Sequence, residues 1–233
     1  MKHPKISIGA ALLCLCAIPE GETHAGVTVL NPSENTVIQE NAPDDNFGSN
    51  QFLNADSKFG GRRALIEFNL SSISGPITSA VLTLDPTPFS ITGYTFNIYS
   101  LTTAWTQGSQ NGVTATAGAS WNSAEAENSL LWTTPGGDFS LASDVTYSPS
   151  SNTFSVDITS IVNGWLTGNP NDGLIITGST GGNAAAFPDT NNSPSSTWPA
   201  LTITTAAPEP GTFSLLGFAA LAVVFTRRPR KRA

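Results

Sequence analysis

Between residues 60 and 205 the chain alternates apolar and polar side chains in short runs. Ala64, Ile66 and Phe68 alternate with Leu65, Glu67 and Asn69; Ala80, Leu82 and Leu84 with Val81, Thr83 and Asp85. Phe96 and Ile98 alternate with Thr95, Asn97 and Tyr99, and Phe154, Val156 and Ile158 with Ser155 and Asp157. A period of two sends successive side chains to opposite faces, so each run predicts a half-buried strand with one face on a core. Residues 174–177 and 201–204 predict further short strands, the second closing the domain. Clusters of Gly, Pro, Asn and Asp separate the runs, as turns require. One segment changes period: Ile161, Val162, Trp165 and Leu166 share one side of a helix that Asp157 or Thr159 can cap and that Gly168 and Pro170 end. Many short strands without repeats predict an all-β domain, a β-sandwich of jelly-roll type with one short helix plugging one end. Residues 102–151 have weak periodicity but carry Trp105, Trp121 and Trp132. They predict ordered loops at one rim, where binding sites on rigid scaffolds concentrate.

Both ends of the chain depart from this pattern. Lys2 and Lys5 precede an apolar run over residues 6–18, and Thr23-His24-Ala25 supplies the small residues a signal peptidase reads. Residues 1–25 therefore predict a signal peptide, cut between Ala25 and Gly26. Cys14 and Cys16 each follow a leucine rather than the small residue that lipoprotein processing needs. At the other end, residues 206–233 form a linker, Pro208-Glu209-Pro210, an uncharged stretch to Thr226, and a cluster of Arg227, Arg228, Arg230, Lys231 and Arg232. The uncharged stretch predicts a short transmembrane helix of about 25 Å, against roughly 30 Å of bilayer hydrocarbon. The basic cluster stays on the cytoplasmic side, which leaves everything upstream on the far side. A short tail anchor and a sorting signal that is held and then cut both fit. The three-part order of residues 208–233 resembles the PEP-CTERM sorting signal of Gram-negative bacteria that secrete extracellular polysaccharide. That resemblance implies processing near Pro208, Glu209 and Pro210 by the membrane protease exosortase.

Removing both ends changes the chemistry available to the body. Cys14, Cys16, His3 and His24 all lie before Gly26, so residues 26–207 contain no cysteine and no histidine. A Ser-His-Asp triad, a thiol nucleophile, a disulfide and an ordinary zinc site are thereby excluded. The body must stand on its core alone, and a chain of about 180 residues buries roughly 70% of its surface. Three basic residues, Lys58, Arg62 and Arg63, face fourteen acidic ones, a net charge of about −11. Such a surface disfavours nucleic acid and anionic lipid as partners, leaving the membrane to the C-terminal helix, and favours cations, calcium above all.

Trp105, Trp121 and Trp132 are candidate platforms for sugar rings, although each is more commonly core. Arg63 is a candidate for a bidentate contact to a sugar carboxylate. Arg62 and Arg63 point to opposite faces of their strand, so only one serves a given surface; pairing with a nearby carboxylate is the alternative for either. Asp44, Asp45 and Asn46 offer the hard oxygen ligands calcium prefers, in a cluster that is also ordinary turn chemistry; Asp138 after Gly136-Gly137 is a weaker candidate. Glu125 and Glu127 are the carboxylate pair with which glycoside hydrolysis would have to begin, and nothing else in the chain supports catalysis.

A second resemblance covers residues 27–205. Thr36-Val37-Ile38, Asn46-Phe47-Gly48-Ser49, the run from Arg62 through Ser71, Trp105-Thr106-Gln107-Gly108, the run from Trp132 through Phe139, and Val156-Asp157-Ile158-Thr159 with Trp165 occur in the order seen in DNRLRE-type domains. These are similar to carbohydrate-binding modules of family 96, which implies a β-sandwich that binds acidic polysaccharide such as alginate and can hold calcium. The string that names the family is absent: Glu67-Phe68-Asn69-Leu70 stands where the family tends to have Arg-Phe-Asp-Leu. The expectation is a secreted, non-catalytic polysaccharide-binding protein. The alternative is a structural matrix or adhesion protein without glycan specificity.

Overall fold

The computed structural model describes residues 25–57, 60–86, 90–178 and 184–207. The signal peptide and the Pro-Glu-Pro tail lie outside them. The described residues form one unit, Ala25–Ala207, whose alternating runs become two antiparallel sheets. The four-stranded sheet is ordered β1 (Val27–Leu30), β15 (Ala200–Thr205), β6 (Ile77–Leu84), β12 (Phe154–Asp157). The five-stranded sheet is ordered β11 (Phe139–Tyr147), β7 (Phe96–Leu101), β13 (Leu174–Gly178), β5 (Arg62–Glu67), β2 (Glu34–Gln39). From β5 onward the chain steps repeatedly between the two sheets, so neighbours within a sheet are distant in sequence and the first strand pairs with the last. The outcome is the predicted all-β sandwich with one α-helix among the described residues.

The main core lies between the sheets. Ala80, Leu82 and Leu84 from β6 meet Ala64, Ile66, Phe96, Ile98 and Ile176 from the opposite sheet. Phe96, Phe154 and Phe187 meet edge to face, with centroids 5.3 to 5.9 Å apart, a geometry that aligns ring edges with ring faces. Helix α1 (Thr159–Leu166) packs Ile161, Val162 and Trp165 into this core. The N-cap is Ile158 rather than Asp157 or Thr159 and makes no side-chain cap; Asp157 Oδ1 accepts the Thr159 N–H at 2.8 Å, and Thr159 Oγ1 accepts the Ala80 N–H at 2.8 Å, which ties the helix start to β6. Leu166, assigned to the apolar side from its spacing, is instead exposed, because it is the last helical residue.

The five-stranded sheet differs from the half-buried strands predicted for it. Leu65 and Ile175 point away from the main core and are as buried as Ile66 and Ile176. They join Ile38, Leu101, Trp105, Ala119, Trp121, Ala124 and Trp132 in a second core on the sheet's outer face. Residues 102–138 are thus a layer laid over the sheet rather than loops at a rim. Residues 139–147 of the predicted loop segment become β11, the sheet's edge. Short ribbons brace the layer: β3 (Asp45–Asn46) with β8 (Val113–Thr114), and β9 (Ser123–Glu125) with β10 (Leu130–Leu131). β4 (Phe52–Asn54) pairs with β14 (Ala186–Pro188) beside β5.

The described residues of both cores all lie within the compact unit Ala25–Ala207. If the outer layer is a true core, Leu65→Ala will cost about as much as Ile66→Ala, roughly 2–5 kcal/mol each in urea unfolding. A Leu65→Ala loss below about 1 kcal/mol would mean the layer is loosely held.

Candidate functional site

Where the outer layer meets β11, the surface opens into a groove of about 620 Å³. Its walls are Thr102 and Thr103 after β7, then Thr133, Thr134, Pro135, Gly137, Asp138 and Phe139, with Leu141 on the lip and Arg63 from β5. Much of the lining is thus the Trp132-to-Phe139 segment that stood out in the sequence.

That segment is held from both ends. Trp132 is buried in the second core and donates its indole N–H to the Ser120 carbonyl at 2.8 Å. Asp138 gathers the loop: its carboxylate accepts the N–H of Thr133 at 2.8 Å, the N–H of Thr134 at 3.0 Å and the Thr103 hydroxyl at 3.1 Å. Burial acts to raise the Asp138 pKa, but these hydrogen bonds outweigh it and hold the group below its usual range. Gly136 and Gly137 both have positive φ, at 97° and 101°. A Cβ on Gly136 would stand 2.7 Å from Arg63 Nη1 and 2.8 Å from the Trp121 ring, so glycine is what lets the arginine come this close.

Arg63 sits between two aromatic rings, its guanidinium carbon 4.6 Å from the Trp121 centroid and 5.7 Å from that of Phe139. Gly136 O accepts one of its N–H groups. Burial lowers its pKa from the usual value and Glu40 counters this; a guanidinium starts so high that it stays charged. Arg62, one residue earlier, faces the other way as strand parity requires. It grips the buried Asp56 with Nε to Oδ1 at 3.0 Å and a second contact from Nη2, while the Ala185 N–H completes that carboxylate. Among the described residues these two are the only cations, and only Arg63 lines the groove.

The other candidates are placed elsewhere. Trp105 and Trp132 are core: Trp105 Nε1 bonds to the Asp172 carbonyl at 2.9 Å, and neither ring offers a face to solvent. Trp121 is buried too, with one face covered by Arg63. All three are buried and none lines the groove; the aromatic ring that does is Phe139, which weak periodicity hid. Asn46 does not join Asp44 and Asp45 as a ligand set. It is fully buried, donating to the carbonyls of Gln107 and Ala119 and accepting from the N–H groups of Gly48 and Gln110. Asp44 accepts from Asn122, and no three His, Cys, Asp or Glu side chains among the described residues converge as metal ligands.

Glu125 and Glu127 do not line the groove. Glu127 accepts from Gly118 N–H and the Thr106 hydroxyl, and Glu125 from Asn128. Gln107 works in the same structural way, accepting from Asn35 N–H and donating to the Gly48 carbonyl and, through its own backbone, to Glu34. Trp105-Thr106-Gln107 and Asn46-Phe47-Gly48 are therefore the clasp that ties the outer layer to β2.

The site is thus an open, threonine-lined groove at the margin of a β-sandwich with an added outer layer, and Glu125 and Glu127 take no part in it. The family model for carbohydrate-binding module family 96 matches residues 26–205, and the chain belongs to that family. No curated protein matches the chain.

Several acids outside the groove share a field. Burial raises the Glu34 pKa, its bond from Gln107 lowers it, and Glu125 and Glu127 raise it further. Burial likewise raises Glu67, with Glu34 and Asp172 adding to the effect. For such groups the folded state holds more protons than the unfolded chain just above the usual value of 4.5, so stability falls as pH rises through that window. Asp138 and Asp157 lie below the usual 3.8, so their contribution is lost as pH falls beneath it. Thermal unfolding across pH should therefore peak in mild acid, near 4 to 5, rather than at neutrality. Glu67→Gln should raise the midpoint at pH 7 and change it less at pH 4; equal shifts at both would remove burial of charge as the cause.

Proposed function

We propose that this protein is an exported, non-catalytic polysaccharide-binding protein that takes acidic glycan in the groove over Arg63. The observation that carries this reading is the guanidinium set between Trp121 and Phe139 in a groove otherwise lined by threonine hydroxyls and backbone. Its carbonyl contact uses one of five N–H donors. A fork of remaining donors matches a uronate carboxylate, Phe139 and Leu141 suit the C–H faces of the ring, and the threonines suit its hydroxyls. The volume falls within the usual ~300–1,000 Å³ of small-ligand sites and has room for a short stretch of chain. The jelly-roll class of the sandwich rests on the alternation of the chain between sheets.

Export is inferred from the signal peptide at residues 1–25, cut by signal peptidase, and retention from the Pro208-Glu209-Pro210 tail acting as an exosortase signal. Together they assign the protein to the cell envelope, cell surface or matrix of a Gram-negative bacterium. Calcium remains a proposal for the Asp44–Asp45 turn without Asn46, tested by the effect of a chelator on thermal unfolding. The structural-matrix alternative differs in requiring no glycan affinity at all.

Calorimetric titration of residues 26–207 with alginate and with neutral glycans separates the two. Arg63→Ala should weaken alginate binding roughly tenfold to hundredfold with little loss of stability, and Arg63→Lys should not restore it. Arg62→Ala should do the reverse, costing about 3–5 kcal/mol of stability because the buried Asp56 carboxylate loses its guanidinium counter-charge. Because the body repels polyanions at long range, added salt should weaken alginate binding far less than it does for a basic protein. Absence of affinity for every glycan would favour the structural alternative.

A further inference from the structure

β1 is an outer strand of the four-stranded sheet, and among the described residues nothing pairs with its free edge. Gly26 O accepts the Thr205 N–H at 2.8 Å. The alternation of an antiparallel ladder therefore turns the main chain of Thr28 and Leu30 toward β15, and the N–H and C=O of Val27 and Val29 away from it. The side chains of Val27 and Val29 are 66% and 61% exposed on the sheet's outer face.

Sheet edges are normally blunted by charge, proline, bulges or cover. Three of the four edges here follow that rule. β12 carries the exposed Asp157, β11 is broken by a register shift between Ser140 and Val145, and β2 begins with Glu34 and is flanked by β3 and β4. β1 reads Val-Thr-Val-Leu, with no charge and no bulge.

We infer that the β1 edge docks a second copy of this chain, the two β1 strands pairing antiparallel about a twofold axis at Thr28. In that register Val27 lies opposite Val29 of the partner subunit, and Val29 opposite Val27 of the partner subunit. These are the pairs whose main-chain groups are free, giving roughly four hydrogen bonds. The exposed valines meet across the junction as β-branched cross-strand pairs, and no charged side chain enters it. Thr28 meets Thr28 of the partner subunit at a non-hydrogen-bonded position. The contact is isologous and closes at two copies, since each edge is used once. A four-residue strand buries far less than the ~1,200 Å² of a stable interface, so association is concentration-dependent.

Sedimentation velocity of residues 26–207 should show a dimer fraction that grows from about 10 μM to about 1 mM. Val29→Lys, at an exposed position, should weaken association at least tenfold without lowering the thermal midpoint. Thr28→Cys should cross-link two copies under mild oxidation, because the register brings the two Cα atoms to about 4.5 Å, and the body has no other cysteine. A monomer at every concentration, a dimer indifferent to Val29→Lys, or a dimer that Thr28→Cys does not cross-link would each overturn the inference.

Discussion

The arrangement of this domain depends on one constraint: the outer face of the five-stranded sheet is apolar and has to be covered. Leu65 and Ile175 sit on that face, and leaving two such side chains in water would forgo about 1.5–3 kcal/mol each. The chain covers them with residues 102–138, a segment nearly devoid of long strands, and its own backbone polar groups must then be satisfied inside the fold. Hence the density of side-chain clasps there. Gln107, Asn46, Glu127 and Asp138 each bond to main chain, and the indoles of Trp105 and Trp132 bond to carbonyls. The groove is the seam where this layer ends against β11. It is a consequence of the cover rather than an addition to it.

The same constraint explains the state of Arg63. A strand residue on the outer face emerges under the layer, where a charge would be costly to desolvate without compensation. Trp121, Phe139 and the Gly136 carbonyl supply that compensation, and the missing side chain of Gly136 gives Arg63 and Trp121 room. Its neighbour Arg62, on the inner side of the same strand, meets Asp56 and becomes structural. Two adjacent arginines thus acquire unlike roles from strand parity alone.

Parity was legible in the sequence, and so were β6, β7 and β12, because each has one face toward water and writes its period into composition. β5 and β13 were legible as strands but not as doubly buried ones. Leu65 and Ile175 break the alternation, and nothing local says what covers them. The cover itself is irregular, held by contacts between residues as far apart as Asn46 and Ala119, and such pairings leave no periodic trace. β11 was hidden because its bulge interrupts the alternation after Ser140 and leaves Leu141 at 73% exposure. In the site, Trp132 through Phe139 stood out as a segment, but within it Trp132 is buried and Phe139 lines the groove. Indole size drew attention to the tryptophans, and size is what makes them core.

The electrostatics limit how such a groove can work. Across the body fourteen acids face three bases, and one of those bases is committed to Asp56, so a polyanion gains nothing from approach at a distance. Under the proposed binding mode, attraction would begin only within the groove, where one guanidinium sits in a partly desolvated seat. On the proposed reading, a site with a single cation would select by geometry, with modest affinity as one copy. Repeating polymers offset this when sites are joined, since a second groove bound through the same partner acts at an effective concentration that linkage sets. An open β1 edge that pairs two copies would supply that linkage without any basic patch, which keeps the long-range repulsion, and the selectivity it enforces, intact.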